Sequence, residues 1–436
     1  MLVLLVIAII NLVRALKEKK TNGKLWGVAI NVVAIVLLII ALVLSISYKM
    51  ETKMCFKRIL LVVLLMMSTA IIYAQEITVT SQVELTNQRN RDIAKVNQLW
   101  TDYLQIGEPD SLYNNPYWNE VDKKRYVSYD LLRSEGYYHL YSLAQYGDLR
   151  NLVLSITPME EGYDIRSMYY WPTETPFILA ITHTIAKRDE SGEFKLYNWL
   201  HYYSRNWKTK QIGKITYHYY PEYHFNKAKA RKAVEFLDFL TDTFEISVDH
   251  LDVYISKGWS DTERLKGYEY TVSSTVVNDF DLGGTTDTDN KIIYSNSTKG
   301  EFYEHEMVRL LNPFYGETHR LFLNGLSEYY TEDKMMRGVS IKEHFRRFDE
   351  YLDAHPEIDL KDLDTFNAGN LAEVNYLLGH VIVNLTLEKG GYDLLKVAMK
   401  SVTTDDEMRE FINEKLGIAI EDINSIFREI IDNNKL

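Results

Sequence analysis

Apolar residues recur at helical spacing over residues 89–104 and 227–244, and again through most of the chain beyond residue 301. The later stretches, at 301–311, 320–330, 341–352, 370–388, 392–400, 405–416 and 421–433, each present one apolar face and predict a run of amphipathic helices. Between these regions the period changes. Runs at 152–157, 177–186, 195–203 and 212–220 are rich in β-branched and aromatic residues and predict strands. The second and third flank Asp189-Glu190-Ser191-Gly192, a turn sequence that predicts a hairpin. Short strands are predicted at 251–256 and 291–294, and a helix at 260–268 opened by Ser260-Asp261. The polar stretch 279–290, with Asp279, Asp281, Asp287 and Asp289, lacks the glycine and ligand spacing of a calcium loop and is expected to be solvated. Together these elements predict an α+β chain. Residues 76–222 are expected to form a mixed domain with a curved antiparallel sheet, and 223–436 a small sheet followed by helices.

Three further apolar stretches, at 2–13, 26–46 and 59–73, crowd the N-terminus. Only 26–46 is long enough to span a bilayer, because a hydrocarbon core of ~30 Å takes about 20 helical residues. Lys17, Lys19, Lys20 and Lys24 precede it, and Lys49, Lys53, Lys57 and Arg58 come after it, so three spans would break the positive-inside rule once. From Met50 or Met54 the chain has the anatomy of a secretory signal: basic Lys57 and Arg58, an apolar core over 59–67, and a small-residue exit at Ala74 before Gln75. Residues 50–75 are therefore expected to be a signal segment and 1–49 an upstream extension; a membrane-anchoring helical hairpin is the alternative. Either reading places the rest of the chain beyond the cytoplasmic membrane, periplasmic, at the cell surface or secreted. Cys55 precedes the apolar core rather than closing it, which argues against lipidation there and leaves the exported portion without disulfide or thiolate chemistry.

Charge divides unevenly. Residues 1–75 carry nine Lys and Arg against two Glu, so the formal −12 of the whole chain leaves −19 on the remainder. That balance argues against nucleic acid as the partner and suits solubility outside the cytoplasm, with membrane contact expected only through the N-terminal apolar segments. His218 and His224 are expected at sheet and connector positions rather than as metal ligands. Trp118, Trp171, Trp199 and Trp207 are expected in the core and on sheet faces rather than lining a groove.

The residues that carry candidate chemistry are His305-Glu306-Met307-Val308-Arg309. In the zinc signature H-E-x-x-H, two imidazoles four residues apart grip the metal and the glutamate deprotonates its bound water. Arginine stands at the second ligand position here, and a guanidinium is always protonated and has no lone pair to give. Around this segment lie the predicted strand 251–256, a predicted edge strand at 291–294, Phe322-Leu323-Asn324-Gly325-Leu326-Ser327-Glu328-Tyr329-Tyr330, and Tyr376-Leu377-Leu378-Gly379-His380 running on to Leu387-Glu388-Lys389-Gly390-Gly391.

In that order the segments resemble a gluzincin metallopeptidase domain, thermolysin-like and of the peptidase MA-like group, over about residues 226–436. The resemblance implies that His305 matches the first zinc ligand and Glu306 the general base. It places Arg309 where the second ligand belongs and Asn324 at the third, the position before the family's glycine. Glu328 offers a rival third ligand, eighteen residues intervening after Arg309. Tyr376 is implied to border the cleft. The expectation is an exported pseudopeptidase without metal whose cleft binds a peptide or protein ligand or a cell-envelope partner, with Arg309 pairing to Glu306 or Glu328 in the metal's stead. The alternative is an active zinc peptidase with unusual ligands, for example His305 and Glu328 joined by His319.

Overall fold

The computed structural model describes residues 77–105, 115–134, 149–271, 284–331, 335–336, 339–363 and 374–434. The expectations for residues 1–75, and for Asp279 and Asp281, lie outside them. The chain is α+β, as its pattern predicts, and it divides into two units. Of the described residues, one unit comprises 77–105, 115–117, 149–156 and 167–177, and the other comprises the rest.

In the first unit, strand β1 (Ile77–Val79) runs parallel to β2 (Arg150–Met159), with Thr78 opposite Leu152. The helix predicted at 89–104 is α2 (Arg91–Leu104), starting two residues later, and a further helix, α1 (Ser81–Arg89), precedes it. Asn90 divides them, because its side-chain oxygen accepts from the Asp92 and Ile93 amides and starts a new helix there. Ile93, Val96, Trp100 and Tyr103 form the buried stripe of α2, and the Trp100 indole donates to Asn151 of β2 at 3.2 Å. Strand β3 (Gly162–Trp171), which the sequence pattern did not mark, passes from the second unit into the first.

The second unit opens with α3 (Glu120–Arg125), capped by Asn119. Strands β4 (Phe177–Arg188) and β5 (Phe194–Tyr197) form the predicted hairpin, with Ile185 opposite Tyr197. The strand expected to run to residue 203 stops six residues early and gives way to α4 (Trp199–Tyr203). Asn198 takes the chain off the sheet: its amide donates to Asp122, its side-chain oxygen accepts from the Leu131 amide, and its side-chain nitrogen donates to the Tyr129 carbonyl.

A five-stranded sheet positions the site. Its order is β10-β11-β8-β7-β6. The single strand predicted at 212–220 is a hairpin of β6 (Lys208–Ile212) and β7 (Ile215–Tyr219), turned at Gly213, whose φ of 58° suits glycine. Helix α5 (Lys227–Phe244) is the crossover from β7 to the parallel strand β8 (Leu251–Ser256). The boundary expected at residue 222 therefore cuts through one sheet, and β6 and β7 belong with β8, β10 and β11 beyond it. After β8 come α6 (Trp259–Lys266) and β9 (Tyr268–Thr271), which pairs with β4.

Strand β11 (Ile292–Asn296) was expected at an edge, yet it is buried throughout and lies between β8 and β10 (Gly284–Asp287). The edge is β10, inside the stretch expected to be a loop. Its Gly-Thr-Thr-Asp sequence has no apolar alternation, so only the antiparallel ladder to β11 makes it a strand. Asp287 is buried rather than solvated, because its carboxylate accepts from the backbone and side chain of Asn290.

Below the sheet, Ala233, Leu237 and Leu240 of α5 pack with Tyr217, Val253 and Ile255 in one core that continues into the C-terminal helices. These are α7 (Glu304–Val308) with a 3-10 turn at Arg309–Leu311, α8 (Arg320–Tyr330), α9 (Ile341–Ala354), α10 (Val374–Ser401), α11 (Asp405–Phe411) and α12 (Ile423–Asn434). The two helices expected at 370–388 and 392–400 are the arms of α10, bent at Gly391. Helices α8 and α10 cross backbone to backbone. A Cβ on Gly325 would lie 2.2 Å from the Gly379 carbonyl, and one on Gly379 would lie 2.4 Å from the Leu321 carbonyl oxygen.

Candidate functional site

Three elements meet at His305-Glu306-x-x-Arg309. Edge strand β10 supplies Thr286, the short helix α7 and its 3-10 extension supply the motif, and the α8–α10 crossing brings up Glu328 and Tyr376. The crossing explains the last two. Tyr376 stands one turn before Gly379 and Glu328 one turn after Gly325, so the glycine contact sets how near each comes to α7.

Glu306 is buried, its side chain 5% exposed. The Thr286 hydroxyl lies 2.7 Å from its Oε2 and 2.9 Å from its backbone carbonyl, donating to one acceptor at a time. Arg309 Nε stands 3.4 Å from the same Oε2, within ion-pair reach but not aligned for a hydrogen bond. Arg309 Nη2 donates to the Tyr376 hydroxyl at 3.0 Å and lies 3.5 Å from His305 Nε2. The other ring nitrogen of His305, Nδ1, lies 3.2 Å from Glu328 Oε1. Both imidazole nitrogens are thus engaged, one by a carboxylate and one by the guanidinium. Glu328 is 2% exposed at its side chain, and its second oxygen has no hydrogen-bond partner among the described residues.

The electrostatics arise from burial and pairing. Burial works to lower the Arg309 pKa, but the Glu306 carboxylate and the Tyr376 hydroxyl outweigh it and hold the guanidinium above its usual value. Tyr303 stacks beside His305 with ring centroids 6.1 Å apart; burial, then the nearby Glu306 charge, pushes its phenol well above the ordinary tyrosine range. Two buried carboxylates, one guanidinium and one imidazole therefore share a cluster whose open side is at Arg309, 35% exposed, and His305, 16% exposed.

Of the expected site residues, the structure joins His305, Glu306, Arg309, Glu328 and Tyr376. Asn324, favoured as the third-ligand position, is half-buried one turn earlier on α8, and it is Glu328 that meets His305. His319 does not join them. It caps α8, with Nδ1 accepting from the Leu321 amide at 3.3 Å and Nε2 on Asp405 at 2.7 Å, so both of its nitrogens are committed elsewhere. Thr286 and Tyr303 were missed from sequence. Tyr303 lay two residues before the motif and was a readable neighbour, whereas Thr286 sits on a strand that no pattern marks.

The arrangement does not fit zinc. A zinc site needs donors converging with free lone pairs at about 2.0–2.2 Å from one point. Here the Nε2 of His305 faces a guanidinium, and Glu306 is held by Thr286 and Arg309. Among the described residues no group of three or more His, Cys, Asp or Glu side chains is placed to hold a metal ion. Elsewhere, His218 lies on β7, 2.9 Å from Asp252 and stacked on Tyr254 at 4.3 Å, while His224 is an exposed connector residue. No helix among the described residues is long and apolar enough to cross a membrane. No protein-family model and no curated protein matches the chain.

Proposed function

We propose that residues 223–436, with strands β6 and β7, form a gluzincin-like domain that has given up metal-dependent hydrolysis, and that the exported protein uses its cleft to bind a peptide or a cell-envelope partner. One observation carries this reading: the Arg309 guanidinium lies against His305 Nε2, Glu306 Oε2 and the Tyr376 hydroxyl. A metal in such a cluster supplies positive charge that holds the helices together and lowers the pKa of bound water to near 7. Arginine supplies the first service and not the second. A guanidinium binds carboxylates and phenols well, but it neither ligates nor activates water as a Lewis acid. Glu306, paired with it, is a structural anion rather than a general base.

The test is elemental analysis of the purified full chain after dialysis against zinc, alongside hydrolysis of a broad peptide library. Zinc well below one equivalent, unchanged by His305→Ala, with no chelator-sensitive cleavage, is expected. One equivalent of zinc lost in His305→Ala, together with cleavage abolished by Glu306→Gln, would establish the alternative, an active zinc peptidase ligated through His305 and Glu328.

A further inference from the structure

A basic face interrupts this acidic protein. Between residues 205 and 232 the sequence holds eight Lys and Arg against a single acidic residue, Glu222, in a chain whose formal charge is −12. The fold gathers them. Lys208 and Lys210 lie on β6, the outer strand of the five-stranded sheet, and Lys227, Lys229, Arg231 and Lys232 lie on the first two turns of α5; all six are exposed. The hairpin and the helix are neighbours, because a Cβ on Gly213 at the β6–β7 turn would lie 2.9 Å from Val234 of α5. The connection between them is pinned to the hairpin as well. Lys208 Nζ donates to the Pro221 carbonyl at 2.6 Å, and Lys210 Nζ sits 4.7 Å above the Phe225 ring, just before the Asn226 cap of α5. Glu222 is itself answered by Lys257 at 4.0 Å.

Lysine on an edge strand protects it from pairing with another sheet, and that accounts for Lys208 and Lys210. It does not account for four more basic residues on an adjoining helix. We propose that this face binds the anionic headgroups of a lipid membrane. Three features favour lipid over other polyanions. Five of the six basic residues of this face are lysine, the point charge suited to a diffuse anionic surface, where arginine would favour bidentate recognition of one group. Half-buried Tyr220 and Tyr223 border the patch, the amphipathic residues favoured at headgroup depth. On the alternative reading of residues 1–49 as a membrane-anchoring hairpin, the apolar stretches before residue 76 would also bring the chain to a membrane, and a polybasic patch is the kind of second signal that makes weak anchoring stable. The acidic remainder would be repelled by the same surface and so orient the domain.

The experiment is flotation of the full chain with vesicles of phosphatidylcholine alone and of phosphatidylcholine mixed with phosphatidylglycerol, at low and high salt. The neutral vesicles report what the N-terminal apolar stretches contribute, and the basic residues of residues 1–75 are common to wild type and both charge-reversal variants, so they cancel in that comparison. Binding to the anionic vesicles should exceed that to the neutral ones and fall with salt. The variant Lys208→Glu/Lys210→Glu/Lys227→Glu/Lys229→Glu should lose about a hundredfold or more of that excess, at several-fold per charge. A control with equal charge reversal at exposed sites elsewhere, Lys342→Glu/Lys389→Glu/Lys400→Glu/Lys415→Glu, should keep most of it. Equal binding to both vesicles, or equal loss in both variants, overturns the proposal. So does tighter binding to polyglutamate or duplex DNA than to anionic vesicles. None of these outcomes depends on the Glu306–Arg309 site.

Discussion

Replacing Arg309 with methionine keeps most of the side-chain length and removes the charge. Glu306 would then stay in a site where its side chain is 5% exposed, with the Thr286 hydroxyl to answer it, and the Tyr376 hydroxyl would lose the hydrogen bond from Arg309. Removing one partner of a fully buried ion pair costs about 3–5 kcal/mol. Arg309 is 35% exposed, so water reaches the vacated position, and the retained Thr286 bond offsets part of the rest; a loss of about 2 kcal/mol is expected. Substituting both groups, Arg309→Met with Glu306→Gln, leaves no buried charge unpaired and should recover roughly half of that loss, a coupling of about 1 kcal/mol plus whatever Glu306→Gln costs alone. The assay is urea unfolding of wild type, both single variants and the double variant. The comparison rests on midpoints at unchanged slope in the transition that carries the C-terminal helices, since the two units can unfold separately. A single variant within about 0.5 kcal/mol of wild type, the scale of an ordinary surface change, or a coupling of zero, would refute the claim that the guanidinium holds this cluster together.

The glycine crossing gives a second expectation. Gly379→Ala places a Cβ 2.4 Å from the Leu321 carbonyl oxygen and 2.7 Å from the Gly325 amide nitrogen, so α8 and α10 must separate; a loss of about 3 kcal/mol should appear as a lowered thermal midpoint, and an unchanged midpoint would count against the close crossing. A third concerns pH. Burial, only partly offset by Asp405, lowers the His319 pKa below its unfolded value of about 6.5, so the unfolded chain takes up the proton first. The stability that neutral His319 contributes is therefore fully present above that value and is lost as pH falls toward the lower folded one. His319→Gln should flatten the stability profile from about pH 6.5 downward, and a profile identical in slope to wild type would contradict the assignment.

Much of the second unit was legible because its signals are local. The helix at 227–244 and the strand at 251–256 coincide with α5 and β8, since each has one clear apolar face or run. Expectations failed where a side chain or a ladder outweighed the pattern. Asn90 sets a helix start two residues later than expected by capping it, and Asn198 ends a strand by bonding to residues about seventy positions away. Strand β10 exists only through its neighbour β11, and the order of β10 and β11 could not be read from either segment alone.

At the site, the sequence by itself determined the chemical inventory. Arg309 sits four positions after His305 and three after Glu306, close enough for one helical segment to bring it to both, and an arginine cannot be a metal ligand in any fold. What the sequence left open was which partner each group takes. Asn324 was favoured as the third-ligand position and Glu328 was its rival, and only the crossing of two glycines, fifty-four residues apart, decides that Glu328 meets His305 and that Tyr376 reaches Arg309. The basic face is of the same kind. Its charges are plain in residues 205–232, but their union on one surface comes from a hairpin folding against the helix that succeeds it. Local spacing is written in the chain because covalent geometry fixes it, whereas the meeting of distant residues depends on how far two backbones can approach, and that is a property of the packed whole.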